Sequence, residues 1–196
     1  MLKIKPKIVA HPKSNPIFTL SKKNQGMTFI EVLVSLVILV TGILGAVAMQ
    51  ASAKKGSFDA MQRSVASAVA QDIIERIRSN SASTTMLSTY AGTYGAAART
   101  VPANRCDKPN SLCTPANMMT NDLYEWTNML MGADAKDGSA NAGGLVGARG
   151  CITQTAQVIE VVISWEGRIK TVDGGSGSCG ISSTSRRQLS MKTFIF

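Results

Sequence analysis

Lys22-Lys-Asn-Gln-Gly26-Met27-Thr-Phe-Ile-Glu31-Val-Leu-Val-Ser-Leu-Val-Ile-Leu-Val-Thr-Gly-Ile-Leu-Gly-Ala-Val-Ala-Met49 decides how the rest of the chain is read. From Val32 to Met49 no residue is charged, and with Met27 to Ile30 the apolar stretch spans roughly 30 Å of hydrocarbon as a helix. Glu31 is the exception. A carboxylate near the middle of a bilayer costs roughly 2.5 to 3.5 kcal/mol on insertion scales, so one that persists is a functional residue in need of a partner.

Charge gives the orientation. The chain has 196 residues and a formal charge of +9, but Lys3, Lys5, Lys7, Lys13, Lys22 and Lys23 all precede the apolar run with no acid among them. Without those six, 15 basic residues face 12 acidic ones. The basicity belongs to the tail, which places the tail in the cytoplasm and the body outside by the positive-inside rule. The body shows no basic stripe with interleaved aromatics, so nucleic-acid binding is not expected.

Four cysteines, Cys106, Cys113, Cys151 and Cys179, lie in the exported part, and an even count there reads as two disulfides. Of three connectivities, Cys106 with Cys113 and Cys151 with Cys179 is favoured because sequence-local loops close most readily. The chain-entropy model assigns them about 2.5 and 3.5 kcal/mol. No CxxC pair exists and His11, in the tail, is the only histidine, so no metal site and no cofactor are expected. The same shortage of nucleophile, base and paired acids argues against an enzyme.

The junction resembles the class III signal of type IV prepilins: a lysine pair, a glycine, then Met27-Thr-Phe-Ile-Glu31 opening an apolar run. The resemblance implies a leader, 1–26, removed by a prepilin peptidase cutting between Gly26 and Met27, and N-methylation of the new amine at Met27. It also makes Glu31, five residues into the mature chain, the assembly residue. Two departures stand out: the family usually has Phe where Met27 stands, and a 26-residue leader is long. Ala46-Val-Ala48 also resembles a secretory cleavage site, and a plain single-pass anchor is the remaining alternative. The physics agrees with the signal. An amine at Met27 lies one turn from Glu31, so the pair can neutralise within a subunit and then between subunits, where a buried charge without its partner costs several kcal/mol.

Past Met49 the apolar spacing of three or four continues at Phe58, Met61, Val65, Val69, Ile73 and Ile77, predicting one helix from about Met27 to Asn80. Asp59 with Arg63, and Asp72 with Arg76, are expected i,i+4 pairs on its polar side. Gly42 and Gly45 sit at small-xxx-small spacings suited to close helix approach in a membrane. The division expected is a leader over 1–26, a membrane and filament-core half over 27–50, an amphipathic half over 51–80, and a disulfide-bonded head over 81–196.

Within the head, 81–113 reads mostly as an irregular connection. Thr114-Pro115 starts a helix with Met119, Leu123, Trp126 and Leu130 on one face and Gly132 as its stop. Asp134 to Asn141 lacks the ligand pattern of a calcium loop and reads as a solvated turn. Cys151-Ile-Thr-Gln-Thr, Gln157 to Trp165 and Arg187 to Phe196 are strand-like, and Leu189, Met191 and Ile195 share a face suited to the long helix. Asp173 to Gly180 is glycine-rich but has no phosphate-loop ending, so it is expected to be a hairpin loop pinned by Cys179.

The expected fold is therefore α+β, a long N-terminal helix packed against a C-terminal antiparallel sheet, as in type IV pilins. Thr41-Gly-Ile-Leu-Gly45, Arg149-Gly-Cys151 and Val162-Ile-Ser-Trp165 are similar to the PilV-like minor pilins. That resemblance implies a low-abundance subunit initiating pilus assembly near the tip; a type II secretion pseudopilin and a DNA-uptake pilin share the signal. The partners implied are a prepilin peptidase, other minor pilins and the major pilin, inner-membrane lipid before assembly, and a tip adhesin. The implied location is the bacterial inner membrane, single pass with the head periplasmic, and then the extracellular pilus.

Overall fold

A computed structural model describes residues 26–81, 84–108, 112–173 and 178–195. The expected leader lies outside these residues except for Gly26, as does most of the glycine-rich stretch of the loop after Asp173. The chain divides into two units, Met1–Gly45 and Ala46–Phe196.

Helix α1, Phe29–Asn80, runs through both. No residue of its most apolar 18-residue window is buried, and Phe29, Leu36 and Leu39 are all largely exposed. In the second unit the same helix buries one face through Gln62, Ala66, Val69, Ala70, Ile73, Ile74 and Ile77. The spacing of three and four is as expected, but the buried stripe is rotated from the one read in the sequence. Ala66 and Ala70 are fully buried, Val65 is only partly so, and Met61 is 54% exposed. Small residues at 66 and 70 let backbones approach, a preference that hydropathy alone does not register.

Helix α2, Thr84–Thr89, and strand β1, Gly92–Tyr94, occupy the stretch expected to be irregular. Helix α3, Pro115–Met131, has both expected ends. Thr114 accepts at its side chain from the Asn117 N–H, and Gly132 closes the helix in the left-handed region at φ 64°. Leu123, Trp126 and Leu130 are buried as their spacing predicts, with Met119 packed at the edge. Strands β2, Lys136–Asp137, and β3, Ala140–Asn141, make a small exposed hairpin where a turn was expected.

Three longer strands complete the head: β4, Arg149–Thr155; β5, Val158–Glu166; and β6, Arg186–Phe194. With β1 they form an antiparallel sheet in the order β1-β4-β5-β6. Strand alternation sends Ile159, Val161, Ile163 and Trp165 of β5, with Ile152 of β4, into one core with the α1 stripe, Leu123, Trp126 and Leu130. Each buried Ile or Val contributes about 1.5 to 3 kcal/mol relative to exposure. Trp126 ties the layers together: its indole N–H donates to the Val69 carbonyl at 2.9 Å, and Tyr94 meets its ring edge-on at 5.6 Å. Gly150 is required opposite it, since a Cβ there would lie 2.3 Å from the indole.

Two ionic clusters pin this core. Arg76 donates to Asp72 at 2.7 Å as expected, but also to Asp122 at 3.3 Å and Glu125 at 2.9 Å, joining α1 to α3. Asp59 and Arg63 do not pair with each other. Asp59 accepts from Arg187 at 3.4 Å and from the Arg168 N–H at 2.8 Å, while Arg63 pairs with Asp173 at 2.7 Å. Long-range partners on β6 and the β5–β6 loop take the place of the local helical one, and the Asp59–Arg187 pair is largely buried.

Candidate processing and assembly site

The residues at the junction are ordered by local helix chemistry. Gly26, Met27 and Thr28 are non-helical and exposed immediately before α1. A peptide bond that a peptidase must enter cannot lie inside a helical turn, and the Gly26–Met27 bond does not. A Cβ at Gly26 would meet nothing within 4 Å, so nothing from the described residues crowds the bond.

Thr28 stops the helix from extending further back. Its carbonyl accepts from the Glu31 and Val32 N–H groups at 3.1 and 3.3 Å, and its hydroxyl accepts from the Glu31 N–H at 3.4 Å. Thr28-Phe-Ile-Glu31 has the spacing of a capping box, a signal already visible in the sequence and specific to the start of a helix. Glu31 therefore sits in the first turn, where a negative charge is favoured by the helix dipole. No ion pair forms to its carboxylate among the described residues.

The polar residues inside the apolar run are satisfied within their own helix. The Ser35 hydroxyl donates to the Glu31 carbonyl at 2.7 Å, and Thr41 donates to Val37 and Ile38 carbonyls at 3.0 Å. Such back-bonding removes the cost of placing a hydroxyl in hydrocarbon. Glu31 is left as the one group in the run whose charge the helix itself does not answer. Nothing packs at Gly42 or Gly45 within 4 Å, leaving a small-residue face open.

In the head, Cys106 bridges Cys113 and Cys151 bridges Cys179, with Cα separations of 6.0 and 5.8 Å. The second bridge ties β4 to the segment that leads into β6. Among the described residues no cluster of His, Cys, Asp and Glu is arranged to hold a metal.

The titratable groups that depart from ordinary behaviour serve the core. Burial pushes the Asp122 carboxyl up, against the opposing pull of the Tyr90 O–H that donates to it at 2.8 Å and of Arg76. Burial pushes Tyr90 up as well. For Glu125 burial acts upward too, but hydrogen bonds from Arg76 and Asn121 outweigh it and hold the carboxyl below its usual range. Asp173 follows the same logic: the Gln188 N–H, Arg187 and Arg63 overcome its burial and lower it. These are structural acids, each answered by a named donor.

Two family models match consecutive stretches of the chain. Residues 21–47 match the prokaryotic N-terminal methylation motif, and residues 48–124 match the family model of the type IV pilin Tt1218. Neither a curated protein nor a solved structure matches the chain. Two consecutive matches across residues 21–124, over a long apolar helix joined to an antiparallel sheet, support a type IV pilin.

Proposed function

We propose that the chain is a minor pilin of the type IV pilus, similar to the PilV-like subunits, that helps initiate assembly and sits near the tip with other minor pilins. In this reading a prepilin peptidase cuts between Gly26 and Met27 and the amine of Met27 is methylated. Residues 27–50 then anchor the subunit in the inner membrane, with the head periplasmic, until it enters the pilus. The observation that carries the reading is the junction: an exposed non-helical Gly26–Met27 bond one turn ahead of an acid inside an otherwise uncharged apolar run.

Glu31 is the register contact. While the subunit is in the membrane its carboxylate is answered by the Met27 amine of the same chain; in the filament it is answered by the amine of a neighbour. A buried carboxylate that meets no cation is penalised by several kcal/mol, which disfavours every axial offset except the paired one. Mass spectrometry of the mature N-terminus tests the processing step. A methylated Met27 is expected; a chain starting at Met1 or near Met49 would overturn it. Glu31→Ala is expected to leave processing and both disulfides intact while the subunit disappears from sheared pili. Normal incorporation of that variant would remove the register role, and normal pilus number in a strain lacking the gene would remove the initiating role.

A further inference from the structure

The end of the head nearest the apolar run gathers cations that no acid answers. Lys54 and Lys55 are exposed on α1, and Arg168 and Lys170 are exposed on the loop that follows β5. None of the four forms an ion pair among the described residues. The acids of the adjoining segments are spent elsewhere: Asp59 on Arg187 and the Arg168 N–H, Asp173 on Arg63 and Arg187. Glu166, two residues before Arg168, is exposed and is the one acid left to set against four cations.

Helical spacing and one long-range contact bring these charges to one face. Lys54 is four residues ahead of Phe58 and Lys55 four ahead of Asp59, so both lysines lie one turn nearer the apolar run on the face that carries Phe58 and Asp59. Arg168 closes on that face from the loop. Its guanidinium lies 4.3 Å from the centre of the Phe58 ring, and its N–H donates to the Asp59 carboxylate at 2.8 Å. A tight turn, in which the Thr171 N–H donates to the Ile169 carbonyl at 2.8 Å, sets Lys170 at its apex. Among these charges Ile169 is 40% and Val172 60% exposed. Aliphatic side chains left in water between lysine and arginine are the composition of a surface that meets lipid headgroups.

The rise of the helix gives the depth. The apolar run ends at Met49, and at 1.5 Å per residue Lys54 stands about 8 Å beyond it and Phe58 about 14 Å. The headgroup layer is about 5 to 8 Å deep on either side of the hydrocarbon. Lys54 and Lys55 therefore reach that layer when residues 27–50 span the membrane, and Arg168, at the level of Phe58, stands within about one Debye length of it, about 8 Å at physiological ionic strength. We propose that Lys54, Lys55, Arg168 and Lys170 form a surface that binds the phosphodiester headgroups of anionic lipids, with Ile169 and Val172 adding apolar contact. The surface rests on the anchoring of residues 27–50 proposed above. It holds the head against the bilayer before assembly, and the contact is broken when the subunit leaves the membrane.

Lysine acylation of the full chain in nanodiscs, read residue by residue by mass spectrometry, tests this by comparing phosphatidylcholine discs with and without phosphatidylglycerol. Lys54, Lys55 and Lys170 are expected to react several-fold more slowly when phosphatidylglycerol is present, and the difference should fade at high salt. Lys192 is the internal control, because its neighbour Thr193 meets Arg78, about 36 Å further along α1 than Lys54. Its rate should be the same in both discs. Arg168→Gln combined with Lys170→Gln removes two exposed charges and keeps the backbone bond to Asp59. That variant should lose most of the protection at Lys54 and Lys55, each cation at an anionic surface being worth about fivefold in binding. Equal rates in the two discs, or equal slowing at Lys192, overturns the surface. Protection produced in phosphatidylcholine discs by inorganic phosphate alone overturns the lipid as its ligand. A chain that enters neither disc overturns the anchoring of residues 27–50, a failure distinct from that of a chain that enters both and reacts alike.

Discussion

The two halves of helix α1 share backbone geometry and are both rich in aliphatic residues, yet they are built for different solvents. From Phe29 to Gly45 apolar side chains cover every side of the helix and none is buried. From Gln62 to Ile77 they are confined to one face, while Arg63, Asp72 and Arg76 on the remainder pair with charged groups. A helix apolar all round is suited to lipid or to a core of other helices, whereas a striped helix is suited to one protein surface with water behind it. Helicity alone therefore says little about what holds either half. Removing the head's packing should leave the first half unharmed, and charging the first half should leave the head unharmed.

The largest effect is expected from Trp126→Ala. It removes a fully buried ring, the bond to the Val69 carbonyl and the edge contact with Tyr94, so unfolding of the head should become easier by about 3 to 5 kcal/mol in denaturant titrations. Membrane extraction of the chain should be unaltered. Val37→Asp reverses the experiment: about 2.5 to 3.5 kcal/mol of insertion free energy is lost, measured in a membrane-insertion assay, while the denaturation midpoint of the head is unmoved. If either variant disturbs both halves alike, the division fails.

Acid sharpens the comparison on the head's side. Asp173 and Glu125 are held below their usual range when folded, so each contributes stability above the unfolded value of about 4 that is lost as pH falls through the folded value. Asp122 runs the other way: its raised folded value favours the protonated form, so acidification partly offsets the loss. The expected result is a net fall in the unfolding midpoint of the head below about pH 4, with a shallower slope in Asp173→Asn. A steeper slope in that variant would refute the assignment of its donors. Thr114→Ala comes last, costing about 1 kcal/mol as the loss of one helix cap, read in the same denaturation.

Features set by local rules were legible from sequence. Thr114-Pro115 and Gly132 marked both ends of α3 within one residue because capping depends on the residues at the ends themselves. The three long strands were legible from β-branched residues and alternation. Strand β1 was not: Gly92-Thr-Tyr94 has three residues and no pattern of its own, and it is a strand because β4 offers an edge. The ion pairs of Asp59 and Arg63 were misassigned for a related reason. Helical spacing nominates the nearest opposite charge, but Arg187 and Asp173, more than 100 residues away in the chain, reach the same groups.

By itself the sequence determined the membrane-length run and the glycine junction with Glu31 one turn beyond it, and it pointed to the type IV pilin class. These depend on transfer free energies and helix-terminus chemistry, which act over a few neighbouring residues. Only the tertiary structure decided which face of α1 is buried and which carboxylate answers which arginine. Burial and long-range pairing are properties of residues brought together by the fold, and the spacing along the chain does not contain them.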